Sequence, residues 1–195
     1  MTQTILGLLR HGQTDWNIDG RLQGTSDIPL NETGRDQARE ACLKLNASDW
    51  DLVISSPLSR AQETARLVMQ GHGLGELNVE PLLMERAFGE AEGWTYHQWR
   101  ERHTPHIALR GEETLEALEE RASKLLVEVA AKYRGKRVLA VSHGALIRKV
   151  LRLVSDKQIP ADGERIGNTA LSLLEHTANG WAVKSFDGRP LGERF

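Results

Sequence analysis

The chain has 195 residues, 25 basic against 27 acidic, for a formal net charge of −2. With 39% hydrophobic and 27% charged residues, the composition excludes a disordered chain, and the near balance of charge argues against bulk nucleic-acid binding. A chain of this length suits one domain over 1–195, able to bury roughly 70% of its unfolded surface without disulfide or metal staples.

The predicted elements alternate. An apolar strand at Ile5–Leu9 comes first, followed by a helix whose Ala38, Ala41, Cys42 and Leu45 fall at i, i+3, i+4 and i+7. A strand at Leu52–Ser55 leads into Ser59-Arg60-Ala61-Gln62, which predicts a capping box opening a helix that carries Ala61, Ala65 and Val68. Gly71-His72-Gly73-Leu74-Gly75 follows a helix rather than a strand, so it predicts a helix stop and turn and not a dinucleotide loop. Residues 84–112 form an excursion of weak periodicity, with a short helix expected near Tyr96–Arg102 and the capacity to cover a site. A four-turn stripe from Leu115 to Val129, a strand at Val138–Val141 and a helix with Ile147, Val150, Leu151 and Val154 come next. Strands at Ala170–Leu174 and Trp181–Phe186 have no helix between them and are expected to pair antiparallel. Short, unalternating apolar strands separated by helices predict a mostly parallel central sheet covered on both faces, an α/β/α sandwich.

No apolar stretch approaches the roughly 18 residues needed to span a bilayer, so no membrane partner is expected. Met1-Thr2-Gln3-Thr4 runs into the first strand without a basic n-region, and no signal peptide is expected. Cys42 is the lone cysteine and fits a reducing compartment, with the cytoplasm the expected location.

A duplicated context points to the chemistry. Arg10-His11-Gly12 ends the first strand, and Ser142-His143-Gly144 ends a later one. In open α/β sheets that edge is where ligands bind, and glycine lets backbone approach them. Ser55-Ser56-Pro57-Leu58-Ser59-Arg60 delivers a further arginine to the same edge. Arginine offers a permanent, bidentate fork for phosphate oxygens, and neutral imidazole can attack phosphorus and leave again. Such a site needs positioning and charge stabilisation, and an acid to protonate the departing alkoxide. Glu85, at the start of the excursion, is the candidate for that acid. His11 is expected at a strand end rather than in the core.

Leu9-Arg10-His11-Gly12-Gln13-Thr14-Asp15-Trp16-Asn17 resembles the signature of the histidine phosphatase superfamily, the phosphoglycerate-mutase-like proteins. The resemblance continues through Arg21–Leu30, Gly34 and Gln37-Ala38, then Ser55–Thr64, Glu85 with Phe88-Gly89 and Glu92-Gly93, and Ser142-His143-Gly144. It implies a phosphoglycerate-mutase-like fold and a metal-independent phosphomonoesterase. His11 would be the transiently phosphorylated nucleophile, with Arg10, Arg60 and His143 clamping the phosphoryl group. Glu85 would be the proton donor and later the base for water. Asn17 matches a phosphate-binding position, and Gln23 and Gly24 match positions beside the substrate. Two departures stand out: Gly111-Glu112-Glu113 where many relatives carry Gly-Glu-Ser, and Ala145 where many carry a second glycine after His143-Gly144.

The expected partner is a small phosphorylated substrate, with no cofactor and no metal. The alternative is a mutase using 2,3-bisphosphoglycerate, which the resemblance disfavours: such mutases are usually longer, with extra segments that keep water from the site, and here only about 50 residues separate Glu85 from the Val138 strand. A non-catalytic phosphate-binding scaffold would be marked by loss of His11, His143 or an arginine, and all are present. Arg86 and Arg100 suit a second acidic group on the substrate, while Trp94, Tyr96 and Trp99 either line a wall of the site or anchor the excursion. His97, His103 and His106 lie in a polar stretch without cysteine and are expected to be solvated rather than metal-binding. An edge strand of such a sheet offers a route to a homodimer.

Overall fold

The computed structural model describes residues 3–70, 73–104 and 107–191. Strand β1 (Thr4–Arg10) leads through a one-turn helix α1 (Asp15–Ile18) to α2 (Glu32–Lys44), β2 (Leu52–Ser55), α3 (Ser59–Met69) and a two-residue β3 (Asn78–Val79). Tight turns at Pro81–Leu83 and Gly89–Ala91 and helix α4 (Tyr96–Arg102) precede α5 (Leu115–Lys132). Then come β4 (Arg137–Ser142), α6 (Gly144–Val154), β5 (Leu171–Thr177), β6 (Gly180–Phe186) and β7 (Arg189–Pro190).

The strands lie in the order β3-β2-β4-β1-β5-β6-β7. The first four are mutually parallel, and the last three run antiparallel to their neighbours. The mostly parallel sheet therefore holds for the half that helices cross over. Where β5 turns directly into β6, the connection is too short for a crossover and the pairing must reverse.

Strand residues alternate between two cores, because successive side chains leave opposite faces. Leu6, Leu8, Ile54, Val138 and Ala140 pack with Leu118, Ala122 and Leu125 of α5 and with Leu146, Ile147 and Val150 of α6. Leu9, Val53, Leu139 and Val141 pack on the other side with Ala41 of α2 and Ala61, Ala65 and Val68 of α3. Both faces being covered explains the unbroken apolar runs, and the result is the three-layer α/β/α sandwich.

The expected capping box at Ser59 does not form. Leu58 occupies the N-cap without a side-chain cap, and Ser59 is the first helical residue. Its N–H donates instead to Asp27 Oδ1 at 2.7 Å, while Gln62 Nε2 donates to Pro57 O at 2.7 Å. A long-range carboxylate has taken the role that a local hydroxyl was expected to fill. The short helix at Tyr96–Arg102 does form, capped by a reciprocal Thr95–Gln98 box. In the expected turn after α3, Gly73 and Gly75 have φ of 63° and 75°; Gly71 and His72 lie outside the described residues. Among the described residues no helix is long and apolar enough to cross a membrane.

Candidate active site

Register brings three strand ends level: Arg10 pairs with Ser142 and Ser55 with Val141. One residue further on, His11 donates its backbone N–H to Ser142 O and Ser56 donates to Val141 O, each at 3.0 Å. His143 follows β4 as the N-cap residue of α6. The two imidazole rings consequently stand 5.1 Å apart, centroid to centroid. His11 sits at the strand end as expected, yet it is only 2% exposed. The loops after the strands close over it.

His11 Nδ1 lies 2.7 Å from Gly12 O. A carbonyl only accepts, so Nδ1 carries the proton and Nε2 keeps its lone pair for attack. Burial, followed by Arg10 and Arg60, holds this imidazole well below its ordinary 6.5, so the ring is neutral near pH 7. Burial likewise depresses His143, with Arg60, His11 and Arg10 adding to it. His143 Nε2 lies 2.8 Å from Ser56 Oγ, which also accepts the Leu58 N–H. With the Ser56 hydroxyl assigned as donor to Nε2, which gives its proton an acceptor, the N–H of His143 stands at Nδ1.

Arg60 enters from the first turn of α3 and is fully buried. Its Nη1 donates to Ser26 O and its Nη2 to Gly24 O, each at 2.8 Å. Gly24 has a φ of 53°, a conformation glycine adopts freely, and a Cβ there would overlap the Glu92 carboxylate. That carboxylate in turn accepts the N–H groups of Thr25 and Ser26 at 2.9 and 2.8 Å. Gln23 Oε1 accepts the Thr14 hydroxyl at 2.9 Å. Gly24 thus shapes the site through Arg60, and Gln23 through the loop that carries α1. Arg10 Nη1 donates to Ile166 O at 2.6 Å. After these bonds, three buried nitrogens of this cluster have no partner among the described residues, Arg10 Nε, Arg60 Nε and His143 Nδ1; Trp50 Nε1 and Trp99 Nε1, away from it, share that condition. Buried donors left unpaired are costly, and a set of three beside a neutral imidazole calls for an anionic acceptor.

Glu85 reaches the same edge from the segment after Pro81–Leu83. Its Oε1 accepts the N–H groups of Ala145 and Leu146 at 3.1 and 3.2 Å, and that of Arg86 at 2.9 Å. Among the described residues Oε2 accepts only the Ala145 N–H, at 3.2 Å, and keeps room for a proton. The carboxylate therefore caps α6, whose N-cap His143 provides no side-chain cap. Arg121 of α5 fixes the approach, donating to the carbonyls of Leu82 and Met84 at 3.0 and 2.7 Å. Glu113 Oε2 accepts from Arg121 Nη2 at 2.7 Å. One of the two sequence departures is thus structural support for the Glu85 segment.

Arg86 is not brought to this cluster. Its Nη2 donates to Glu112 Oε1 at 2.8 Å and its Nε to Glu113 O at 2.9 Å. The fully buried Glu112 carboxylate holds the guanidinium in an ion pair. Arg100 is exposed on α4 beside Tyr96, His97 and Glu101. Trp99 packs with Phe88, Tyr96 and His103, and Trp94 lies under Arg102, so these rings anchor the excursion. His97 is exposed beside Glu101 as expected, but His103 is half-buried against Trp99, 3.5 Å from Glu112; His106 lies outside the described residues. Among the described residues no three His, Cys, Asp or Glu side chains gather as a metal would need.

Gly12 corrects another expectation. A Cβ there would overlap Gly34 O, so the missing side chain admits the start of α2 rather than a ligand. Its N–H donates to Thr64 Oγ1 at 3.0 Å. Asn17, third residue of α1, lines an open cleft of about 460 Å³ together with Arg10 and Asn168. Asn168 escaped the sequence reading. Its Nδ2 donates to His11 O at 3.0 Å and Asn17 Oδ1 at 3.2 Å, tying nucleophile loop to α1.

The histidine phosphatase superfamily (branch 1) matches residues 6–187. The Uncharacterized phosphatase PhoE of Bacillus subtilis is 36% identical over 184 residues, 94% of each chain. The Probable phosphoglycerate mutase GpmB of Cronobacter sakazakii is 30% identical over 91% of this chain and 90% of its own. A mutant phosphoserine phosphatase of Entamoeba histolytica, solved with phosphoserine, superposes with a TM-score of 0.82 at 25% identity, covering 95% of this chain and 97% of that one. With two buried histidines, two converging arginines and a family match over nearly the whole length, the chain belongs to the histidine phosphatase superfamily, whose members here are phosphatases and phosphoglycerate-mutase-like enzymes.

Proposed function

We propose that the protein is a metal-independent phosphomonoesterase that works through a phosphohistidine on a small phosphorylated metabolite. The unpaired Arg10 Nε, Arg60 Nε and His143 Nδ1 beside the His11 ring carry this reading. A phosphoryl group would supply their acceptors, its three equatorial oxygens carrying negative charge through the transfer. His11 Nε2 attacks phosphorus, the ester P–O bond breaks, and the leaving oxygen takes a proton from Glu85. Water then attacks the phosphohistidine, giving its proton to Glu85 and releasing inorganic phosphate and neutral His11. Asn168 on the His11 carbonyl and Ser142 on its N–H keep the ring's backbone fixed through both steps.

The test is phosphate release from p-nitrophenyl phosphate between pH 5 and 8, with and without chelator. Acid-labile phosphate on His11 is trapped by rapid quench. Chelator-resistant release that vanishes in His11→Ala supports the reading. The mutase alternative has a relative in its favour, the mutase-like protein of Cronobacter sakazakii. Interconversion of 3- and 2-phosphoglycerate on adding 2,3-bisphosphoglycerate, with little phosphate released, would establish it instead.

A further inference from the structure

The cleft beside Arg10 contains more positive charge than a phosphoryl group requires. Arg148 of α6 and Arg165 in the segment before β5 line it with Arg10, Asn17 and Asn168, and no carboxylate is among its lining side chains. Arg148 lies three and four residues beyond Ala145 and Gly144, spacings that put neighbours on one helix face, so the helix capped at His143 carries this arginine along the cleft wall. Nearby acids are engaged elsewhere. Glu164 accepts from Arg189 Nη2 at 2.6 Å and from the Ala161 N–H at 3.1 Å, and Asp162 accepts from Arg152 Nη1 at 2.9 Å. Arg148 meets only the backbone carbonyl of Glu164 and has no ion-pair partner at contact distance among the described residues. Arg165 is exposed and makes no hydrogen bond or ion pair among them.

We infer that Arg148 and Arg165 form a subsite for a second anionic group, which makes the substrate a small phosphomonoester that also carries a carboxylate. This deepens the phosphomonoesterase reading and rests on it for the placement of the phosphoryl group at Arg10. Two guanidiniums that no carboxylate contacts among the described residues are matched by a substrate carboxylate through charge-assisted hydrogen bonds. The cleft's 460 Å³ falls in the roughly 300–1,000 Å³ of small-molecule sites. Arg10 belongs both to this cleft and to the His11 cluster, so the two anionic groups would sit on one short carbon skeleton.

The test compares 3-phosphoglycerate with glycerol 3-phosphate, which share a three-carbon skeleton and differ in carboxylate against hydroxymethyl. Phosphate release should favour 3-phosphoglycerate in kcat/KM by about tenfold or more. Arg165→Met and Arg148→Met should each shrink that ratio severalfold, chiefly through KM. Arg165→Glu should shrink it further and improve O-phosphoethanolamine relative to 3-phosphoglycerate. Calorimetric binding of the same pair to His11→Ala reads the preference without turnover. No preference by binding, or a ratio unmoved by all three arginine variants, overturns the subsite. Binding preference that responds to Arg165 with no phosphate release from any ester would keep the subsite and overturn the hydrolase reading.

Discussion

Two regions of this molecule bury arginine, and they end in opposite ways. Around Glu112 the charges close on themselves: the carboxylate takes Arg86 on one oxygen and the Leu109 N–H, at 2.9 Å, on the other. Around His11 they stay open, with Arg10, Arg60 and His143 each retaining an unpartnered buried nitrogen after their structural bonds are made. A closed network holds a loop in place. An open one stores the cost of desolvated donors until a ligand offers acceptors. Burial of charge alone therefore does not mark a site; charged and imidazole groups left together with unsatisfied donors do.

The sharpest way to break the contrast is His11→Ala. If the open cluster is catalytic, hydrolysis of p-nitrophenyl phosphate should fall by roughly 10³-fold or more, as removal of a nucleophile does elsewhere. Retention of a tenth of the activity would move the chemistry to another group. Glu85→Gln comes next. The amide keeps an acceptor for the Ala145 and Leu146 N–H groups but has no proton to give, so hydrolysis of alkyl phosphates should drop about 10²–10⁴-fold. The loss should be far smaller for p-nitrophenyl phosphate, whose leaving phenolate needs little help. Equal losses for both esters would assign Glu85 to positioning α6 and not to proton transfer.

Sequence foretold one side of the comparison better than the other. His11, Arg60 and His143 were legible because they sit within contiguous motifs at the ends of parallel strands, and parallel strands must end at one edge. Asn168, Ile166 and Arg165 were not, because they precede β5. That strand is antiparallel to β1, with Leu9 opposite Leu171, so its beginning and not its end reaches the site. Nothing in local periodicity announces that reversal. Ser56 lay inside a recognised motif, yet its bond to His143 depends on β2 and β4 lying side by side. The ion pair of Arg86 was hidden for a related reason: its partner Glu112 is 26 residues away and appears in sequence only as a departure from the family pattern. The capping of α6 by Glu85 spans 60 residues and is equally invisible to a local reading.

The closed network predicts a loss of stability rather than of chemistry. Glu112→Ala leaves the largely buried Arg86 with only the Glu113 carbonyl, and breaking a buried pair costs about 3–5 kcal/mol. At roughly 2–4 °C per kcal/mol for a domain of this size, melting should fall by about 10 °C. The kcat for p-nitrophenyl phosphate, measured below the new transition, should change much less than in His11→Ala. A large loss of kcat with unchanged melting would place Glu112 in the reaction and erase the distinction between the two regions.

The smallest effect, and the most diagnostic of an open cluster, is a pH dependence of stability. Burial and the two arginines hold His11 and His143 below the ordinary 6.5 in the folded protein, whereas the unfolded chain restores it. Above pH 6.5 both states carry neutral rings and the contribution is complete. Below it the unfolded chain binds protons that the folded one refuses, so stability declines as pH falls toward the folded values. The slope approaches about 1.4 kcal/mol per pH unit for each histidine. Urea unfolding between pH 5.0 and 7.0 should show that decline in the wild-type protein and a flatter curve in the His11→Ala/His143→Ala double variant. The window stays above the range in which ordinary carboxylates titrate. Parallel curves would mean that the imidazoles accept protons in the folded state, and the open cluster would then be a reservoir of charge rather than a neutral nucleophile framed by cations.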